Sequence, residues 1–562
     1  MTINCWLSTS LKRWFPRSEP AARRTLKLQA LRGEQISFQV CARIGGVDGA
    51  TPVSVEVAGG EGLCIRVRRV SCVPVPHFNT ATPEDELDGI GHIPGYVPDV
   101  LFDETCASVA PNEAQAFWVT VKVPGSAAPG AVGLEVTVKL GDQKRNLSVS
   151  LQLLPAALQP RRNFPVTQWF YTDSLCDWYE VDPWSRPLWE LLKSYFDCYA
   201  GHGFDTLLTP LFTPPLDGVK RPTQLLRVTK ARRGRYGFDW SEVEKWVKLA
   251  NACGIENFEW CHFFAQWGVK HALRVYEGIG LDEKLLWAPE TGATSAVYRG
   301  FLGQLLPELH NFLKAKRLLD RSFFHVSDEP HGPEHKANYI AARGMLRELA
   351  PWIKTMDALS EIDYGREGIT DMPVPSTATT KQYWEEGIAS WTYFCCGPRG
   401  RFLNRLHDTP LPKLRMAGWL FHRFQRLGFL HWGFNYWYKS QTRQMIDPFA
   451  VTDGLRWPGW AYGDTTLVYP GERGPIESIR GQVFAESLQD LALLQTAGID
   501  PDGKLLAPLN DFCEYPKDEA WHWRARAQVL RRLEEMDKTR RSLRGHRPPR
   551  SAESTRNSSR HC

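Results

Sequence analysis

Two hydrophobic periods divide the chain. Up to about Pro160, apolar and polar residues alternate in QISFQVCARI, VSVEVA, CIRVRRVSCVPV, AFWVTVKV, LEVTVKL and LSVSLQLL, with Gly, Pro and Asp between the segments. A period of two fits strands with one buried face, and the pattern predicts an antiparallel β-sandwich over residues 1–160. VPGSAAPGAVG is a Pro/Gly turn joining two of those strands.

After LQPRRNFP the pattern changes to short apolar segments alternating with amphipathic helical stretches. Strands are expected at FPVTQWF, DTLLTPLF, NFEWCHFF, SFFHVSD, IKTMDALS, DMPVPS, ASWTYFCC and GFLHWGFNYW, with helices such as PLWELLKSYFDCYAGHG and WSEVEKWVKLANACG between them. GHG and ACG read as helix C-caps. Eight such units predict a (β/α)8 TIM barrel with insertions over residues 161–445. A C-terminal loop and helical extension, 446–540, is expected to pack on the barrel. The polar tail, 541–562, is expected to be disordered.

Length and composition agree with a multidomain globular chain: 562 residues, 43% hydrophobic and 23% charged. A net charge of +5, with its Lys and Arg partly gathered in the C-terminal stretch, gives no basic face for a nucleic-acid partner. The 13 Cys contain no CxxC pair, which argues against a zinc site and a disulfide framework, although Cys395 and Cys396 are adjacent. The opening MTINCWLSTSLKRWF lacks a secretory h-region, and no window reaches membrane-spanning length, so the expectation is a cytoplasmic protein without a membrane partner. No cofactor or metal is expected. The 22 Trp, many in short clusters, offer flat apolar faces with a polar edge, which suits stacking on sugar rings.

The candidate chemistry lies in SFFHVSDEPHGPE, where Asp328 and Glu329 follow the fourth barrel segment. The C-terminal ends of barrel strands carry the chemistry of barrel enzymes. Adjacent strand residues point to opposite faces, so both carboxylates share one pocket only where the strand is ending, as Pro330 suggests. The other strand ends bring Tyr171, Asp173, Trp260, His262, Asp357, Trp391, Tyr393, Trp432, Asn435, Tyr436 and Trp437 as substrate-binding candidates. Glycosidases commonly use two separated carboxylates. The seventh and eighth segments carry none, and an adjacent pair suggests another route. A 2-acetamido group on the sugar attacks its own anomeric carbon, Glu329 acts as general acid and then base, and Asp328 orients the amide and stabilises the oxazolinium charge. Asp357 is the alternative second carboxylate. The competing structural reading makes the pair a helix-capping loop. His331 and His335, at i, i+4, flank Gly332 and Pro333 and read as loop or capping residues. His325 reads as a hydrogen-bonded barrel histidine.

LRGEQISFQV, HGFDTLLTPL, FFHVSDEP, TMDALS, WGFNYWY and YGDTTLVYPGERGPIESIR together resemble glycoside hydrolase family 123 and its related group of domains of unknown function, from about Leu11 to Ala497. The resemblance implies a β-sandwich followed by a TIM barrel. It also implies exo-acting β-N-acetylgalactosaminidase chemistry by the substrate-assisted route, with the family's Asp-Glu pair at Asp328 and Glu329. Two rival functions stay open: a glycosidase acting on a sugar without an N-acetyl group, and a carbohydrate-binding barrel without turnover. The oligomeric state is unknown.

Overall fold

The computed structural model describes residues 2–79, 81–214, 221–278 and 283–545. The alternating N-terminal segments form two sheets. One has seven strands in the order Thr2–Thr9, Gln35–Gly45, Ala114–Lys122, Cys64–Val75, Gly95–Phe102, Pro475–Ser478 and Tyr469–Pro470. The other has five, in the order Thr25–Arg32, Gln143–Ala157, Gly130–Leu140, Thr51–Gly59 and Cys106–Val109. Neighbours run antiparallel, except that Gln143–Ala157 lies parallel to Thr25–Arg32. In Gln143–Ala157, Leu147, Val149, Leu151 and Leu153 are buried while Ser148, Ser150 and Gln152 are exposed. The buried row meets Phe38, Val40, Phe117 and Val119 of the first sheet in one apolar core. In Gln143–Ala157 the period of two thus specifies the buried face, whereas Gln35–Gly45 and Ala114–Lys122 are buried on both faces along most of their length.

Two strands of the seven-stranded sheet come from beyond residue 446. Pro475–Ser478 pairs with Gly95–Phe102 through Glu477–Leu101 and Ser478–Val100, so the C-terminal extension completes the N-terminal layer. The join is ionic as well. Glu477 bonds Arg66 at 2.7 Å and Arg68 at 2.8 Å. Buried Arg480 grips Asp99 through Nε and Nη2 and donates to the carbonyls of Arg405, Gly463 and Thr466. Tyr469 Oη donates to the same aspartate at 2.7 Å.

Each of the eight segments read as a parallel strand contains one. Six form a parallel sheet in the order Ser322–Phe323, Asn257–Trp260, Thr206–Thr209, Val166–Gln168, Phe429–His431 and Thr392–Tyr393. The remaining two, Met356–Ala358 and Met372–Val374, pair with each other in parallel. Single parallel bridges, Phe324–Thr355 and Ser376–Tyr393, link these two strands to either edge of the six. The strands are short and buried along their length, as in parallel sheets covered on both sides.

Helices follow where the 3.6-residue pattern placed them. Arg186–Gly201 starts at Ser185, whose hydroxyl accepts from Leu188 N, and buries Leu188, Trp189, Leu192, Tyr195, Phe196 and Tyr199. Gly203 and Gly254, with φ of +77° and +92°, take the left-handed turn that ends this helix and Ser241–Ala252. Ile479–Thr496 is buried almost all round. The final helix, Glu519–Gly545, enters the polar tail, of which 546–562 lie outside the described residues. Among the described residues no helix is long and apolar enough to cross a membrane.

Candidate active site

A cavity opens at the ends of the parallel strands. Its walls are Trp169, Gln266, Trp267, Asp328, Glu329, Ala358, Tyr393, Cys395, Cys396, Leu430, Trp432, Gln441 and Trp460. The regular strand ends at Phe323, well before the two carboxylates. Glu329 then adopts a φ of +40°. An ordinary residue enters that region at a cost of about 1–3 kcal/mol. The turn breaks strand alternation, so both carboxylates line one cavity.

Their surroundings differ. Tyr393 Oη donates to Glu329 Oε1 at 2.6 Å. Gln266 Nε2 donates to Asp328 Oδ2 at 2.9 Å, and Trp267 N donates to the Asp328 carbonyl at 3.2 Å. Asp328 is buried, and burial together with the Glu329 charge pushes its carboxyl well above the usual range; His325 and Gln266 pull the other way. Gln266 Oε1, also buried, has no protein partner.

Behind the cavity lies a closed polar network. His325 Nε2 is 2.7 Å from Glu259 Oε1, and its Nδ1 is 3.1 Å from Asp357 Oδ1. Glu259 also accepts from Trp169 Nε1 at 2.7 Å and from the Thr167 hydroxyl. Asp357 Oδ2 accepts from Val326 N at 3.1 Å and from Tyr339 Oη at 2.5 Å. Burial opposes charge on His325, but the hydrogen bonds and charges of the two carboxylates overcome it and hold the ring at about 10, a buried imidazolium. Asp357 is therefore turned away from the cavity, and the cavity wall at this strand is Ala358.

His262, His325 and Asp357 each bring one ligand atom within 4.8 Å of the others, the trio among the described residues that could hold a metal ion. Both His325 nitrogens are already committed to carboxylates, which disfavours that use. Both His262 nitrogens are buried without a partner, and burial and His325 lower this ring's pKa well below its usual value. His335 Nδ1 accepts from His331 N at the start of Gly332–Leu349.

Of the sequence candidates, Asp328, Glu329, Tyr393 and Trp432 line the cavity. The others lie outside its lining. Trp260 turns outward and donates to Ser322 Oγ at 2.9 Å, because its neighbour Glu259 takes the inward face. Trp437 likewise faces outward, against Trp178 and Tyr195. Trp391 packs edge-on against Phe323. Tyr171 and Asn435 brace each other: Tyr171 N donates to Asn435 Oδ1, and Asn435 Nδ2 donates back to the Tyr171 carbonyl. Tyr436 stacks behind Trp432 and Trp460. His262 sits behind Trp169, and Asp173 is buried near the start of helix Thr172–Trp178.

Ala358 and Leu430 add apolar wall from two of the strands, and the remaining walls come from segments that follow strands. Trp169 is the first residue past its strand. Gln266 and Trp267 follow NFEWCHFF, and Trp460 lies in the aromatic loop after the last strand. Trp267, at φ +47° and 37% exposed, stands at the rim. Trp432 is fixed by a 2.8 Å bond from Nε1 to buried Asp464, whose carboxyl burial raises to about 7. Gly433 makes this possible, since a Cβ there would meet the Asp464 carbonyl at 2.1 Å.

A solvent-open cavity walled by aromatic side chains around two adjacent carboxylates has the make-up of a pocket for a sugar ring. The family model "Glycoside hydrolase 123, catalytic domain" matches residues 169–497, and the chain belongs to that family. A solved family 123 glycoside hydrolase from Clostridium perfringens, described for glycolipid glycan hydrolysis, is similar with a TM-score of 0.73 at 14% identity, covering 97% of this chain and 100% of that one. Fainter likenesses include the β-glucuronidase of Parabacteroides merdae (TM-score 0.28, 10% identity, 88% of this chain and 51% of that one). An endo-β-1,4-mannanase of Thermotoga petrophila gives 0.33 at 9% identity, over 61% of this chain and 78% of that one. No curated protein sequence matches the chain.

Proposed function

We propose that the chain is a retaining, exo-acting β-N-acetylgalactosaminidase-like hydrolase that uses the substrate's 2-acetamido oxygen as nucleophile. The observation that carries this reading is that, among the described residues, Asp328 and Glu329 are the only carboxylates lining the cavity, while Asp357, the alternative partner, is consumed by His325, Tyr339 and Val326. With no carboxylate of the described residues across the cavity to attack the anomeric carbon, this reading takes the nucleophile from the sugar. Glu329 protonates the leaving oxygen and later takes a proton from water. Its bond from Tyr393 fixes the carboxyl for both steps. Asp328 accepts the amide N–H and, when ionised, faces the growing oxazolinium charge. That charge favours the ionised carboxylate, which burial and Glu329 disfavour. Gln266 holds Asp328 with its amide nitrogen and offers its unpaired oxygen to a donor of the sugar.

Among the described residues, no Lys, Arg or His lines the cavity. Two carboxylates without a cation disfavour uronate or sulfated rings, and the four indoles favour a neutral pyranose. We also read the six-stranded and two-stranded parallel sheets as arcs of one eight-stranded barrel. The bonds Met356 N to Phe324 O at 2.8 Å and Tyr393 N to Pro375 O at 3.0 Å support this closure. The carboxylates then stand at the C-terminal end of strand four.

A panel of chromogenic β-glycosides with and without the 2-acetamido group tests the function. The expected result is cleavage of the N-acetylgalactosaminide, inhibition by a thiazoline mimic of the oxazolinium, and loss of turnover in Glu329→Gln. Cleavage confined to sugars lacking the acetamide overturns the mechanism.

A further inference from the structure

We propose that Cys395 and Cys396 form a dithiol site in the wall of the cavity, which chelates a trivalent organoarsenical in the space the sugar enters. They are adjacent in the chain, both line the cavity, and their sulfurs lie 3.7 Å apart. Among the described residues they are its only thiols, and the described cysteines are all free. The backbone beneath them is pinned. The Cys395 carbonyl accepts from Asn404 Nδ2 at 2.8 Å, the Cys396 carbonyl from Arg399 Nε at 2.6 Å, and Cys395 N donates to the Gly397 carbonyl at 2.9 Å. The sulfurs are thus held side by side by contacts that do not involve them.

Adjacency decides which thiol chemistry the pair supports. Consecutive Cα atoms stand about 3.8 Å apart, below the usual disulfide range of about 4.4–6.8 Å. Direct closure is therefore strained and readily reversed. A bridging atom that bonds both sulfurs near their present separation avoids that strain. The hydrogen bond from Cys396, then burial and the nearby carboxylates, raises the Cys395 thiol, so it is protonated at neutral pH and a poor nucleophile toward alkylating agents. Arsenical capture suits protonated thiols. An arsonous acid, R–As(OH)2, reacts with both: two As–S bonds form, two As–O bonds break, and the thiol hydrogens leave with the hydroxyls as two waters. Arsenic and sulfur keep their oxidation states, and no further reactant is required.

The pair also borders the carboxylate machinery. Tyr393, which bonds Glu329, lies two residues before Cys395, so an aryl group on the bound arsenic projects into the space beside the carboxylates. Only the competition with sugar rests on the hydrolase reading.

The experiment treats the full-length protein with one equivalent of phenylarsine oxide and reads intact mass and peptide maps. The expected result is a single adduct on the peptide carrying Cys395 and Cys396. It should survive excess monothiol, be removed by 2,3-dimercaptopropanol, and be lost in Cys395→Ser and in Cys396→Ser. Peptide mapping on the unmodified sequence keeps the test decisive if either variant folds poorly. No adduct, or an adduct mapping to other cysteines, overturns the proposal. These readouts do not depend on turnover, so failure of the glycosidase reading is seen separately, in the substrate panel.

Discussion

Tyr393 Oη lies 2.6 Å from Glu329 Oε1, a hydrogen bond that joins the seventh parallel strand to the turn after the fourth. Tyr393 is buried and packs within the inner apolar cluster. Tyr393→Phe therefore keeps the packing and deletes one charge-assisted bond of about 1.5–3 kcal/mol. The expected loss in kcat/KM is about 10- to 150-fold, with the melting temperature little changed. Kinetics on the responsive chromogenic glycoside, alongside a thermal melt, check both halves.

Asp328 gives the pH dependence its sign. Burial and Glu329 raise its carboxyl, so the ionised form is reached only well above the ordinary value of about 3.9. Activity should rise with pH through that ionisation, which sets the acid limb of kcat/KM. Gln266 donates the bond that favours the charged form. Gln266→Leu should therefore move the acid limb to higher pH; a limb that stays in place removes Asp328 from the mechanism.

The His325 clamp predicts a stability profile. Its folded pKa of about 10 exceeds the unfolded value of about 6.5, so between the two the folded state holds an extra proton. Stability from this group is complete below about 6.5 and is lost as pH rises through about 10. His325→Gln should flatten that decline. It should also cost about 3–5 kcal/mol near neutrality, since Glu259 and Asp357 lose their buried cation. Denaturant titrations from pH 6 to 10 on both proteins give the comparison.

Trp267 separates binding from folding. It is 37% exposed, holds a φ of +47° and stands at the cavity rim. Trp267→Gly removes the stacking face and relaxes a left-handed backbone that glycine adopts freely. KM should rise about fivefold, for about 1 kcal/mol of ring contact, while the denaturation midpoint holds or rises.

All eight parallel segments were legible, because short apolar runs set between amphipathic helices have few other uses. Their side-chain parity was not. Glu259 and Trp260 are neighbours, and which faces inward depends on a register that hydrophobicity does not encode when both faces are buried. The inward position went to the charged residue, because His325 and Trp169 supply its partners there. Loop walls such as Gln266 and Trp460 were also hidden, since loops carry no periodicity. Asp328 and Glu329 were visible for the opposite reason: two carboxylates after a buried segment leave few inexpensive arrangements.

Asp99 ties the N-terminal layer to the cavity wall. Asp99 lies on that sheet, fully buried, and Arg480 and Tyr469 complete its bonds. The same guanidinium holds the Gly463 and Thr466 carbonyls on either side of Asp464, which anchors Trp432 in the cavity wall. The sheet thus braces the site through one cation. Arg480→Met leaves Asp99 without its countercharge and should cost about 3–5 kcal/mol. Pairing it with Asp99→Leu removes the stranded charge and should recover a large part of that loss. The double variant still lacks the donors that fix the loop around Asp464, so KM should stay raised after stability returns. A double variant with restored stability and wild-type KM would show that the sheet acts on folding alone.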